Sequence, residues 1–355
     1  MITLKRHPKN AATILSANPC TVIATTDNGA DHYFRVRFIV DFDTVHEESW
    51  GRIGTEVRVD VRNFYQNRYP VLARPNGYLN GITRMTVLIV RMQVEFVEYD
   101  IATDAIVDHI RTPAFYVMQS TRSRKFDDDL PFQLLDQPVM DLNVHKDSKV
   151  SLLAYYNRPV GTLLQMNLYA ASGNLLVSKE FDSTGRGMYL MQLFLAGIFL
   201  PPLSYLQIGD GQEVFTQIKL NYIEDNLHPP LSLYYKNIHG IFMTADLFGK
   251  RETSDAHLRE EYARNDNTFT TYDVQSETSF KINTGHLYAL QLPLIKAINE
   301  AREVFLVLPS GYQKARVTSR KTLGEASGEF LYDDTVEFIL ENNILADNSD
   351  KFDNL

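Results

Sequence analysis

Tyr33-Phe-Arg-Val-Arg-Phe-Ile-Val40 decides how the chain is read. Phe34, Val36, Phe38 and Val40 share one parity, and Tyr33, Arg35, Arg37 and Ile39 share the other. That is the period of two expected of a strand with one face against a core. Working outward, Val57, Val59 and Val61 alternate again, and Asp60 stands where it can cap a helical turn over Asp60 to Asn67. The tract from Met85 to Tyr99 is rich in Val, Ile and Phe and predicts a central strand. Ala105 to Met118 predicts more strand, with Pro113 at an edge or bend because it has no N–H for a ladder. Together these predict a β-sandwich-like first domain over residues 1–125.

Residues 126–139 read as a linker, because charge and the prolines 131 and 138 interrupt any period. Val150 to Tyr156, Leu163 to Ala170, Leu175 to Phe181 and Val214 to Tyr222 are strand-like. Ala171-Ser-Gly-Asn174 supplies hairpin turn chemistry between two of them. A second β-sandwich-like domain is expected over 140–225. In the last third, Leu231 to Tyr235 and Thr270 to Ile282 are followed by Asn283-Thr-Gly285 and a helical stripe, Leu287, Leu290, Leu294, Ile298 and Ala301. Thr284 is a candidate cap, and Pro293 leaves the helix start open by a turn. Short strands at Val304 to Leu308 and Arg316 to Thr318, a turn at Leu323 to Gly328 and a strand at Phe330 to Leu340 complete an α+β module over 226–345. An acidic tail occupies 346–355. The expected fold class is mainly β: two β-sandwich-like (Ig/FnIII-like) domains, then an α+β module with one main helix. Each unit has its own strands and turns, so the first two should fold without residues 226–355.

Composition narrows the function. Hydrophobic residues at 44% and charged residues at 22% describe a chain that folds. A net charge of −9 argues against nucleic acid, whose partners carry clustered cations. The basic cluster Arg122-Ser-Arg-Lys125 runs directly into Asp127-Asp-Asp129, as a solvated loop does. One cysteine, Cys20, excludes an intrachain disulfide framework and a multi-cysteine zinc site. No apolar run is long enough to span a membrane, and Met1-Ile-Thr-Leu-Lys-Arg6 lacks a signal-peptide core, so a protein made in a cytoplasm and not inserted in membrane is expected.

Several local patterns carry a resemblance when taken in order. They are Ala17-Asn-Pro19; Tyr33 to Val40 followed by Val59-Asp-Val-Arg-Asn-Phe-Tyr65; Leu233-Tyr-Tyr-Lys-Asn-Ile-His-Gly240 followed by Phe248-Gly-Lys250; and Tyr272 to Asn299 with Val304-Phe-Leu-Val307 after it. In this order and spacing the chain resembles tail-associated structural proteins, of tail tip or baseplate, from bacteriophages of Bacteroidota-type hosts. Where that family has a second glycine and an aromatic-Asp pair after the turn, this chain reads Gly240-Ile-Phe-Met-Thr244. The resemblance implies a virion location in the tail, assembly in the host cytoplasm, and partners that are further copies of the chain, in a ring for example, and other tail proteins.

A search for chemistry returns no constellation. There is no phosphate-binding glycine loop, no His-Glu-x-x-His and no Gly-x-Ser-x-Gly. Gly185-Arg-Gly187 reads as a turn, and His239 and His286 as loop residues beside glycines. Asp127-Asp-Asp129 lacks the glycine and distal glutamate of a calcium loop. Asp41 with Asp43, and Asp333 with Asp334, read as strand-end carboxylates rather than a glycosidase pair. Cys20 reads as a small apolar residue. No catalytic, cofactor or metal residues are assigned and no enzyme is expected. Tyr155, Tyr156, Tyr234 and Tyr235 are the candidates for subunit interfaces. The alternatives are a host-receptor or glycan-binding module of the tail and, beyond it, a surface-polysaccharide hydrolase.

Overall fold

The computed structural model describes residues 1–29, 31–51, 53–66, 80–135, 140–224, 228–263, 269–309, 311–319, 332 and 334–344. Strand takes up 58% of the described residues and helix 6%, which makes the chain mainly β. The strands among them form five sheets, arranged around three main cores.

The alternation around Phe34 is fulfilled in the first core. His32–Val40 lies along one side of the long central strand Ile89–Asp100, and Ile106–Arg111 and Phe115–Met118 lie along the other. Thr13–Leu15 and Asp43–Trp50 are the outer strands of this sheet. Against it packs a three-stranded sheet of Ile2–Arg6, Thr21–Thr26 and Glu56–Asp60. Phe34, Val36 and Phe38 from one sheet meet Val22, Ala24, Val57 and Val59 from the other in one buried cluster. Asp60 caps the short helix Val61–Gln66 as its position suggests, its Oδ1 accepting the Arg62 N–H at 3.0 Å.

Lys149–Tyr156 behaves differently, because every residue after Lys149 is buried. Leu152, Ala154 and Tyr156 face the second core, and Leu153 and Tyr155 face the third. The strand belongs to a middle layer made of Phe132–Leu134, Lys149–Tyr156, Gly187–Phe194 and Gly81–Arg84. A layer covered on both sides has no polar face, which is why the run shows no alternation. One side is covered by a five-stranded sheet containing Asp141–Val144, Val214–Tyr222, Leu203–Gly209, Leu163–Ala170 and Leu175–Asp182. The other is covered by a seven-stranded sheet running Phe242–Leu247, Leu231–Lys236, Val304–Leu308, Gly311–Val317, Thr335–Ile344, Phe269–Asn283 and Arg251–Ala263.

The units are knitted together. Gly81–Arg84 pairs with Gly187–Phe194, from Arg84 opposite Tyr189 to Gly81 opposite Gln192. Within residues 126–139, read as a linker, Phe132–Leu134 is a strand of the middle layer, and upstream of it the Asn18 side chain binds the main chain of Arg124 through both its oxygen and its nitrogen. Leu15, Met118, Leu153, Tyr155 and Met188 share the third core with residues of the seven-stranded sheet and its helix. Removing 226–355 would therefore uncover these side chains, a cost that the expectation of independent folding for the first two units did not include.

The helix also needs correction. It runs Leu292–Asn299 after a single 3₁₀ turn, Ala289–Gln291, and buries Leu292, Ile295 and Ile298. Leu290, assigned to the buried stripe, is 57% exposed. The 3₁₀ turn ahead of Pro293 tightens the backbone to three residues per turn, and the stripe rotates with it. Thr284 is not the cap: its hydroxyl donates to the Gly285 carbonyl and accepts the Asp334 N–H. The turn expected at Leu323 to Gly328 and the acidic tail at 346–355 lie outside the described residues. No helix among the described residues is long and apolar enough to cross a membrane.

Candidate functional site

The four tyrosines nominated as interface anchors are core residues. Tyr155 and Tyr156 are fully buried, and Tyr234 and Tyr235 are 2% and 3% exposed. Adjacent strand residues point to opposite faces, but here both faces are covered. Tyr155 reaches the Thr13 hydroxyl at 3.0 Å, tying the middle layer to an outer strand of the first unit. Tyr156 packs edge-on against Tyr189, and burial, followed by the nearby Asp210 carboxylate, pushes its hydroxyl up to about 12. Among the described residues, all four rings are packed inside the chain.

The longest strand pair among the described residues is a hairpin. Arg251–Ala263 and Phe269–Asn283 pair over their whole length, yet Thr335–Ile344 pairs with the second strand only from Ser279 to Asn283. Beyond that root, nine residue pairs from Asp255 with Thr278 to Ala263 with Phe269 continue as two strands with no third strand among the described residues. At strand rise this is an arm of about 30 Å. The register shifts between Glu260 and Glu261, a bulge that strengthens twist. The root is polar: Lys250 with Glu252 at 3.0 Å, Lys281 with Glu337 at 2.8 Å, and Asn283 and His286 line one open groove. Gly249 is required there, since a side chain would run into the main-chain oxygen of Asn283.

A two-stranded ribbon is marginal in water, and its edges are a row of unmet donors and acceptors. Such an edge suits pairing with another chain. The sequence signal was present in the length of the tract from Arg251 to Asn283, but Thr270 to Ile282 was read there without its partner strand.

Three titratable clusters test for chemistry. Asp246 has a side chain 8% exposed; both Ser148 and Ser232 donate to it, and His145 Nε2 lies 3.6 Å from it. The residue types are those of a nucleophilic triad, but the serines face the carboxylate and not the imidazole, whose Nδ1 accepts the Asp147 N–H. A serine held this way has no imidazole beside it to take its proton. Asp127, Asp128 and Asp129 bring one carboxylate oxygen each within 4.8 Å of the others. Two of them already accept main-chain N–H groups, from Asp129 and Thr13. Cys20 is half-buried, and burial together with the Asp60 carboxylate pushes its thiol up to about 11, away from the thiolate.

Two further features were not anticipated. His239, read as a loop residue, is fully buried beside Gly240, which has φ 81°. On the outer face of the first unit's larger sheet, Tyr33 stacks on Tyr99 at 5.3 Å with the Arg35 guanidinium 4.6 Å over Tyr99. Next to them, Glu95 is buried between Arg37 and Arg111. Compared with known proteins, the chain matches no family model, and no curated protein is significantly similar to it.

Proposed function

We propose that this chain is a structural protein that acts in several copies through its surfaces, as a tail, tail-tip or baseplate component of a bacteriophage virion, with further copies and other tail proteins as partners. The observation that carries the assembly reading is the two-stranded arm, Arg251–Ala263 with Phe269–Asn283, whose distal pairs extend past the sheet. A ribbon of that length gains stability once another chain covers an edge. The tail assignment rests on the ordered local patterns from Ala17 to Val307. The two sheet pairs of the first two units fit this reading as Ig/FnIII-like sandwiches serving as rigid supports.

Sedimentation of the full chain across a wide concentration range tests the proposal. Defined oligomers, or incorporation into purified tails at a copy number matching tail symmetry, are expected. A chain that stays monomeric throughout and is absent from particles would overturn it.

One observation favours a second reading, a glycan- or receptor-binding module of the tail. Tyr33, half-buried and stacked on the buried Tyr99 with the Arg35 guanidinium beside them, offers an aromatic ring and a cation that a sugar could meet. Binding to host-surface polysaccharide that is lost in Tyr33→Ala, with folding intact, would support it.

A further inference from the structure

We propose that the acidic arm of one copy docks on the basic amino-terminal segment, Leu4 to Lys9, of a second copy. The inference rests on the assembly reading above and names the two surfaces that meet.

Charge selects the partner surface. Along the distal pairs, Asp255, Glu260, Glu261, Asp273 and Glu277 stand against one arginine, Arg259. Two such arms placed side by side would repel, so arm-to-arm pairing is disfavoured. The first 26 residues have the opposite balance: Lys5, Arg6 and Lys9 with no carboxylate, in a chain whose net charge is −9. All three cations are exposed. Lys5 and Arg58 both pair with the carboxylate of Glu56, so two cations share one anion there.

The backbone agrees with the charge. Ile2–Arg6 is the outer strand of the three-stranded sheet, with Thr21–Thr26 as its ladder partner. The Ile2 N–H is already taken by Asp108, and the ladder shifts register between Leu4 and Arg6. The edge open to another strand therefore begins at Leu4 and runs to His7, since Pro8 has no N–H to offer, with the exposed Lys9 just beyond it. Arm and edge are different surfaces, so the contact is head-to-tail, and such contacts propagate into a ring where the rotation closes and a filament where it does not.

Charge exchange in the full-length protein tests this. Glu260→Lys with Glu261→Lys, and separately Arg6→Glu with Lys9→Glu, should each weaken self-association at least about tenfold. Mixing the two variants, or combining all four substitutions in one chain, should restore it, because the reversed charges again face each other. Wild-type association should fall as salt rises from about 0.05 M to about 0.5 M. Matching melting curves confirm that the variants fold. If wild type assembles and neither reversal changes its association, or the mixture fails to recover, the docking surfaces are wrong while the assembly reading stands. If wild type remains monomeric under every condition and is absent from particles, both fall.

Discussion

His239 Nδ1 lies 2.6 Å from the main-chain oxygen of Gln119, with the ring fully buried between two segments far apart in sequence. Its Nε2 is 3.3 Å from the Leu135 oxygen. Thr121 N–H to Ile238 O, at 2.7 Å, runs alongside. The imidazole therefore fastens the last third to the segment before the middle layer.

A pH dependence follows from that burial. Desolvation lowers the His239 pKa to about 4, whereas an unfolded histidine titrates near 6.5. Above about 6.5 the ring is neutral in both states and its contribution is complete. As pH falls from about 6.5 to about 4 the unfolded chain takes up a proton that the folded chain resists, and stability on the order of 3 kcal/mol is lost. Urea midpoints should drop over this window in wild type and drop less in His239→Gln.

Gln291 reports how the helix is docked. Its Nε2 donates to Asn143 at 2.9 Å and to Asp141 at 3.1 Å, and its side-chain oxygen accepts the Tyr288 N–H. Gln291→Ala strands part of this buried network and should cost about 1 to 3 kcal/mol in chemical denaturation. An unchanged midpoint would show that the network does not hold the helix.

The helix register separates two leucine-like positions. Ile298→Ala removes a fully buried side chain and should cost about 2 to 5 kcal/mol. Leu290→Ala touches an exposed one and should stay within about 0.5 kcal/mol. Equal losses at both positions would restore the stripe read from spacing alone.

Gly249 tests the root of the arm. Its N–H donates to Asn283 O at 3.0 Å, and a methyl group there would push against that same oxygen. Gly249→Ala should destabilise by about 1 to 3 kcal/mol, read as a lower melting temperature. No change would mean that the hairpin root can shift to accommodate it.

Strands bounded by local turn chemistry were legible before folding. Phe34, Val36 and Phe38 alternate because one face meets a core, and Gly173, with φ 86°, closes the hairpin expected at Ala171 to Asn174. What alternation does not encode is the partner. Nothing near Gly81 to Arg84 announces that they pair with Gly187–Phe194, and Val150 to Tyr156 reads as strand without revealing that both faces are covered. The tyrosines were misplaced for this reason: an aromatic side chain suits a core and an interface equally, and only layer order separates them. His239 was misread because its neighbouring glycine marks a turn, whereas burial is set by segments about a hundred residues away.

Amide hydrogen exchange across 255–263 and 269–278 shows most directly whether the arm is completed by another chain. In dilute protein these amides should exchange quickly, apart from those bonded within the hairpin. In assembled protein, or in purified tails, the outward-facing amides of an arm strand should become protected together with those of Leu4 to His7. Exchange in both segments that is identical in dilute and assembled protein would contradict the claim.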